Sequence, residues 1–148
     1  MNNQWFEFLR TDYLQGFPAQ CGFEVTTIDF GRFETSLTIR PEHCQQDGFA
    51  HAGILSTMAD HTAGYAAFTT VTSEFRILTV EFKINFFKPA TGPKIVCRSS
   101  VLEGGKRLIV SESELFSVTE HQEKRVSKAV VTLMAVPAER LTAKTKST

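Results

Sequence analysis

The chain of 148 residues has few cysteines, a single tryptophan and no excess of charge of either sign. Its three cysteines, Cys21, Cys44 and Cys97, are scattered and odd in number, so a framework of disulfide bonds is not expected. Lys plus Arg number 16 and Asp plus Glu number 16, whereas nucleic-acid-binding proteins normally have a basic excess. We therefore expect no nucleic-acid partner and a reducing compartment, the cytoplasm.

Long apolar runs are also missing from the sequence. No stretch approaches the ~20 apolar residues that cross a bilayer, and no cationic amphipathic stretch indicates binding to a membrane surface. Residues 1–5 lack the basic start and the apolar run of a secretory signal. These absences predict a protein with no membrane partner, and its length favours one domain with one sizeable core.

Three segments divide the chain. Residues 1–16 predict an N-terminal helix, because apolar side chains recur at near-helical spacing until Gly16-Phe17-Pro18. Residues 17–137 are expected to form the main domain. Residues 138–148 follow Pro137 as a polar tail that we expect to be mobile.

The main domain is predicted to contain one long helix among strands. Residues 52–70 contain no proline and have helical periodicity, whereas apolar and polar residues alternate in the flanking segments. The alternating segments are residues 22–30, 32–40, 78–86, 94–103, 106–118 and 125–136. One long helix among hairpin-linked strands predicts an α+β fold, with a curved antiparallel sheet wrapped around the helix.

One side of this helix combines small residues with a single carboxylate. At 100° per residue, that side contains Gly53, Ser56, Thr57, Asp60, Ala63, Gly64 and Ala67. The opposite side, with Ile54, Leu55, Met58, Thr62, Tyr65 and Ala66, is expected to pack on the sheet. Small residues permit either tight packing or the approach of a ligand. Asp60, a mediocre helix former, is either an ordinary polar residue or a functional group.

The start of the helix offers a second chemical element. Ala52 and Gly53 lie in the first turn, where backbone N–H groups have no partner within the helix and lie at the positive end of its dipole. Such groups can hold an oxyanion. A carboxylate two turns further on could activate a water, or attack, at the same carbonyl, so the combination suits acyl transfer.

The segment from Gln45 to Ala67, QQDGFAHAGILSTMADHTAGYAA, resembles the signature of PaaI-type hotdog-fold acyl-CoA thioesterases. That signature has a Gly, then His-Gly-Gly or His-Ala-Gly at a helix start, then Ala-Asp in mid-helix. Residues 78–90, LTVEFKINFFKPA, and the hairpin Gly104-Gly105-Lys106-Arg107 are further matches. The resemblance covers residues 15–136.

The resemblance implies a hotdog fold in which two subunits pair their sheets. Active sites would then lie at the interface of a homodimer, often within a homotetramer. Asp60 would be the general base or nucleophile, and the backbone N–H of Ala52, with Gly53 beside it, would polarise the thioester carbonyl. Coenzyme A would enter as part of the substrate, with no separate cofactor and no metal.

Other positions of the family pattern are matched less closely. The family often has an Asn six residues before the motif His, where this chain has Gln45 followed by Gln46. Thr79 matches a hydroxyl residue that positions the attacking water from the facing subunit. His51 is expected at the helix start, as part of the site lining.

Basic and histidine side chains give two further hypotheses. Lys83, Lys88, Lys106 and Arg107 could contact the phosphates of coenzyme A, with ordinary solvated charge as the alternative. The residues that we predict to bind the substrate are His51, Gln46, Lys83 and Arg107. The four histidines lack the paired spacing of a zinc site.

We therefore predict an acyl-CoA thioesterase that acts on a small, medium-chain or aromatic acyl group. One alternative is a non-catalytic acyl-CoA-binding or regulatory protein with the same pocket. The other is a hotdog hydratase or dehydratase. Those enzymes have a His in a Pro-rich loop followed by a helical Glu, and this sequence has no such loop.

Overall fold

The computed structural model describes residues 3–145, and within them six strands form one antiparallel sheet. The strands are β1 (Phe23–Asp29), β2 (Arg32–Thr38), β3 (Phe75–Phe86), β4 (Lys94–Gly104), β5 (Leu108–Val118) and β6 (Glu123–Pro137). The helices are α1 (Asn3–Tyr13), α2 (Phe17–Cys21), α3 (Ala52–Phe68) and α4 (Ala138–Thr145), with a 3-10 turn at Pro41–His43. The strand order is β1-β2-β4-β5-β6-β3, so β3 is an edge strand.

Helix α3 packs against the sheet and contacts strands β2 to β6. Its Leu55 and Met58 are buried with Ile95, Leu115 and Leu133 of the strands. Because one helix contacts so many strands, the sheet must curve around it. The predicted α+β fold, a curved antiparallel sheet around one long helix, is confirmed.

Buried hydrogen bonds fix α3 to its surroundings. The Thr62 hydroxyl lies 2.9 Å from the hydroxyls of both Tyr13 in α1 and Thr35 in β2. Ser113 of β5 donates a 2.6 Å hydrogen bond to the Ala59 carbonyl. Polar groups buried in a core are costly unless they are paired, so these contacts fix the orientation of the helix as well as stabilise it.

The buried side of α3 is rotated relative to the side that its periodicity predicts. Ala63 and Ala67, expected on the side with Asp60, are fully buried. Ile54 and Tyr65, expected to pack on the sheet, are only half-buried. The sheet therefore covers part of the predicted small-residue side, and the accessible side includes Tyr65 as well as Asp60 and Gly64.

Two short helices differ from the predictions. Helix α2 occupies the segment where the sequence indicated only the end of α1. Helix α4 forms where a mobile tail was expected, and residues 146–148 of that tail lie outside the described residues. Helix α1 buries Leu9 and Tyr13 in the main core, so it packs as part of the domain. Across residues 3–145, no helix has the length and apolarity needed to cross a membrane.

Candidate active site

Asp60 lies in the middle of α3, and its carboxylate contacts the edge strand β3. The Thr79 hydroxyl donates a 2.7 Å hydrogen bond to Asp60 Oδ1. Thr79 is therefore beside Asp60 of its own chain, not presented to it by a facing subunit as the resemblance implied. The reason is topological, because β3 pairs with β6 in the same sheet against which α3 packs.

Asp60 and Thr79 line a cleft of about 360 Å³. The cleft follows α3 from Asp60 over Gly64 to Phe68, which are successive residues at a spacing of four on one side of the helix. His61 and Tyr65 of α3 also line the cleft. Other elements complete its walls with Asp12, Arg76, Ile77, Leu78, Leu133, Ala138, Leu141 and Thr142. The predicted carboxylate thus faces a space that can hold a ligand.

His61 lies beside Asp60 in the sequence, but its side chain contacts helix α1. Its Nε2 donates a 3.0 Å hydrogen bond to the Tyr13 carbonyl, and its ring lies 4.2 Å from the Tyr13 ring. Burial lowers the pKa of His61, although the Tyr13 carbonyl and the nearby carboxylates of Asp60 and Asp12 oppose that shift. A neutral imidazole bonded to α1 is a structural contact and not an ion-pair partner for Asp60.

Tyr65 and Asp12 add a polar group to the same cleft. The Tyr65 hydroxyl donates a 2.8 Å hydrogen bond to Asp12 Oδ2. Burial, and then this bond to a carboxylate, raise the pKa of Tyr65, so the hydroxyl stays protonated. The pair joins α1 to α3 at the wall of the cleft.

The start of α3 has the predicted backbone donors, but only one is available. His51 caps the helix, and its Nδ1 accepts a 2.7 Å hydrogen bond from the Gly53 N–H. No described residue accepts a hydrogen bond from the Ala52 N–H. Of the two predicted oxyanion donors, Ala52 is therefore the one whose N–H can bind a ligand.

Gln45 lies beside this donor and shapes the loop before α3. Its Oε1 accepts hydrogen bonds from the backbone N–H groups of Asp47, at 2.6 Å, and Phe49, at 3.1 Å. Gln45 and Ala52 line a second cavity, of about 340 Å³, together with Lys88. The Gln45 side chain can therefore offer its Nε2 hydrogens there, since its oxygen is engaged by the loop.

The predicted residues thus fall into separate groups. Asp60 and Thr79 share one cavity and Gln45 and Ala52 share another, whereas His51 and Gly53 line a third of about 430 Å³. Asp60 follows Ala52 by eight residues, and a helix rises ~1.5 Å per residue, so about 12 Å along the axis separate them. Within one chain they do not meet.

The remaining predicted residues lie apart from these groups. Gln46 is exposed, and its Nε2 contacts Asp47 at 3.4 Å. Lys83 and Arg107 are exposed and line none of the three cavities described above. Lys88 is the basic residue that lies beside Ala52.

Arg76 and helix α4 are parts of the site that the sequence did not indicate. Arg76 of β3 belongs to no motif that the sequence analysis identified. Its side chain lines the cleft, and its guanidinium carbon lies 5.9 Å from the centre of the Phe68 ring. The one available signal for α4 was the apolar Leu141 within an otherwise polar tail.

Comparison with known proteins places this geometry in a family. Residues 47–124 match the Thioesterase superfamily. A thioesterase family protein from Silicibacter pomeroyi has 34% sequence identity and a TM-score of 0.87, over 90% of this chain and 99% of that one.

Two more distant structures share the fold. The E. coli PaaI protein from the phenylacetic acid degradation operon has 18% identity and a TM-score of 0.79, over 90% of this chain and 94% of its own. The protein smu.793 from Streptococcus mutans, solved bound to acetyl CoA, has 20% identity and a TM-score of 0.69. That match covers 78% of this chain and 89% of the other.

The sheet wrapped around α3, with a carboxylate on that helix, defines an α+β protein of the hotdog class. The chain belongs to the thioesterase superfamily and is PaaI-like, as the motif around Asp60 predicted. Thioester hydrolysis is the activity of this family.

Proposed function

We propose that this protein hydrolyses the thioester of an acyl-CoA, with Asp60 of one subunit and the Ala52 N–H of a second subunit acting on the same carbonyl. The observation that carries the proposal is the pair formed by Asp60 and Thr79, combined with the unoccupied donor at Ala52. These are the two chemical elements that acyl transfer to water needs, namely a base or nucleophile and an oxyanion donor.

The separation of the two elements argues for a second subunit. A base acts within ~3 Å of its target or through one water, and an oxyanion donor lies ~3 Å from the oxygen. Both groups must therefore face the same carbonyl, whereas Ala52 and Asp60 of one chain are separated by about 12 Å along the helix axis and line different cavities. Two copies of α3 that run antiparallel across a twofold axis would bring Ala52 of one next to Asp60 of the other.

The edge strand β3 supports such pairing. It has 12 residues, and β6 covers one of its two edges. Its Leu78, Val80, Phe82 and Phe86 are between 40% and 54% exposed. A long apolar edge strand is a template for pairing with another chain, so β3 is the strand that we expect to join two copies into one continuous sheet.

In this arrangement each residue has a defined task. Thr79 orients the Asp60 carboxylate through Oδ1, and no described side chain donates to Oδ2, which can bind water. Asp60 removes a proton as the water oxygen bonds to the thioester carbon. Ala52 stabilises the resulting oxyanion until the carbon–sulfur bond breaks and the thiol leaves with a proton. Direct attack by Asp60 is the other route, through an anhydride that water then hydrolyses.

Coenzyme A is the carrier that this proposal assigns to the substrate, with no separate cofactor and no metal ion. Its support is the related fold of the Streptococcus mutans protein with acetyl CoA. Lys88 lies beside Ala52 and supplies a positive charge at the cavity through which the coenzyme A thiol would leave. Gln45 would contribute Nε2 hydrogen bonds there, which favours Gln45 over Gln46 for the amide role.

Thiol release tests the activity. Acetyl-, hexanoyl-, dodecanoyl- and phenylacetyl-CoA would each be incubated with the enzyme, and free thiol measured with a chromogenic disulfide. Release from at least one, at a rate proportional to enzyme concentration, is expected. Tight binding of these compounds, measured by calorimetry, without thiol release would indicate the non-catalytic alternative. A product that has gained one water molecule but keeps its thioester would indicate a hydratase.

Thr79 is expected to tune the reaction without being essential to it. Thr79→Val removes the donor to Asp60 Oδ1 at nearly constant volume, so we expect kcat to fall about tenfold, since one hydrogen bond to a charged group contributes about 1.5 kcal/mol or more. Thr79→Ser retains the hydroxyl and should keep most of the activity. Equal kcat values for the Val and Ser variants would contradict the orienting role.

A further inference from the structure

Helix α4 closes one end of the cleft that begins at Asp60. Leu141 and Thr142 of α4 line the cleft together with Phe68 at the C-terminal end of α3. The start of α4 is fixed, because the Ala138 N–H donates a 2.8 Å hydrogen bond to the Glu74 carbonyl just before β3. The Thr142 hydroxyl bonds to carbonyls of its own helix, so the apolar Leu141 is the larger surface that α4 offers to a ligand.

The cleft suits an acyl group better than the nucleotide end of coenzyme A. Its apolar lining consists of Phe68, Ile77, Leu78, Leu133 and Leu141. Arg76 is the one Lys or Arg among the described lining residues, and its Nη1 already donates to the carbonyls of Ser73 and Phe75. Phosphate groups bind where several cations or N–H donors converge, and an apolar chain gains from burial in such walls.

The cleft has room for an acyl group and ends at α4. Its volume of about 360 Å³ lies within the range of about 300–1,000 Å³ that small-molecule pockets have. Gly64 has no side chain to block the path between Asp60 and Phe68. An acyl chain whose thioester lies at Asp60 would run along α3 and end against α4.

We propose that Leu141 of α4 is a specificity-determining residue that sets the longest acyl group the enzyme accepts, restricting it to medium-chain or single-ring acyl groups. The proposal rests on the function proposed above, and it adds the substrate class. A longer chain would have to displace α4 or bend out of the cleft, and either loses the apolar burial that favours binding.

The test compares chain-length profiles. We would measure kcat/KM for saturated acyl-CoAs from two to sixteen carbons with wild type, Leu141→Ala, Leu141→Trp and a chain that ends at Pro137. Leu141→Ala and the shortened chain should move the optimum to longer chains by at least two carbons, with about a fourfold gain for each methylene that becomes buried. Leu141→Trp should move it to shorter chains, while Glu139→Ala, an exposed change on the same helix outside the cleft, leaves the profile unchanged.

The outcomes separate this proposal from the proposed activity. An unchanged optimum in Leu141→Ala and Leu141→Trp, both folded by circular dichroism, would overturn the role of α4 even if the enzyme is an active thioesterase. If the shortened chain does not fold, the Leu141→Ala and Leu141→Trp variants alone test the role of α4. If wild type releases no thiol, dissociation constants of thioether analogues of the same chain lengths replace kcat/KM, and a shift between the variants supports the role of Leu141 whereas no shift overturns it.

Discussion

Replacement of Asp60 by Asn should lower kcat by about a thousandfold, because general acid–base catalysis typically contributes 10²–10⁴. Asn has nearly the same shape, and its Oδ1 can still accept the hydrogen bond of Thr79. The fold and KM should therefore change little, while the group that takes the proton of water is lost. Thiol release under saturating substrate measures the effect.

Asp29→Asn is a matched control for this change. Asp29 is an exposed carboxylate at the end of β1, so the same chemical substitution there should leave kcat within twofold of wild type. An Asp60→Asn variant that keeps wild-type turnover would remove Asp60 from the mechanism, and with it the reason for placing the reaction in this cleft.

Ala52→Pro should lower kcat by a factor of about 10²–10³, as expected when one oxyanion donor is removed. Proline has no backbone N–H, and Ala52 is the first residue of α3, where proline is well tolerated. The preceding His51 is extended, with φ −64° and ψ 140°, which is the conformation that a following proline favours. The variant thus replaces the N–H donor by the ring methylene of proline, with little expected change in thermal stability.

Ala52→Gly provides the comparison, because it keeps the N–H and should retain most of the activity. Melting temperatures of the two variants by calorimetry separate a loss of the donor from a loss of fold. A Pro variant as active as the Gly variant would show that the Ala52 N–H does not bind the oxyanion.

The same two variants can test whether each active site is shared between subunits. Asp60→Asn and Ala52→Pro chains would be mixed, dissociated and reassociated. In a twofold-symmetric dimer, each mixed dimer has one site with both wild-type groups, so random mixing restores about a quarter of the wild-type activity. No recovery, with exchange verified by mass spectrometry, would indicate that each chain contains its own complete site.

The regular elements could be predicted from the sequence because their periodicities are strong. Apolar and polar residues alternate around Phe82 in the sequence of β3, and α3 lacks proline and is rich in alanine. The β-bulge between Thr79 and Glu81 in the pairing of β3 with β6 could not be predicted from that alternation. The burial of Ala63 could not be predicted, because it depends on how far the sheet curves around the helix. Helix α4 is short and largely polar, so its periodicity alone is weak evidence for structure.

The sequence could propose residues for the site, but it could not give the distances between them. The resemblance indicated Asp60 and Thr79, and the structure adds that they meet within one chain. The capture of the Gly53 N–H by the His51 ring depends on a side-chain rotamer, which no sequence pattern specifies. The catalytic roles of these residues stay predictions until the variants above are measured.

The buried hydroxyl groups around Thr62 have a consequence for the opposite side of α3. Two residues along a helix correspond to a rotation of about 200°, so Thr62 points away from Asp60. Its contacts with Tyr13 and Thr35 act as a rotational lock. Apolar side chains alone would allow α3 to rotate slightly about its axis against the sheet. The directional hydrogen bonds on the opposite side of the helix fix that rotation, and with it the direction in which Asp60 faces its substrate.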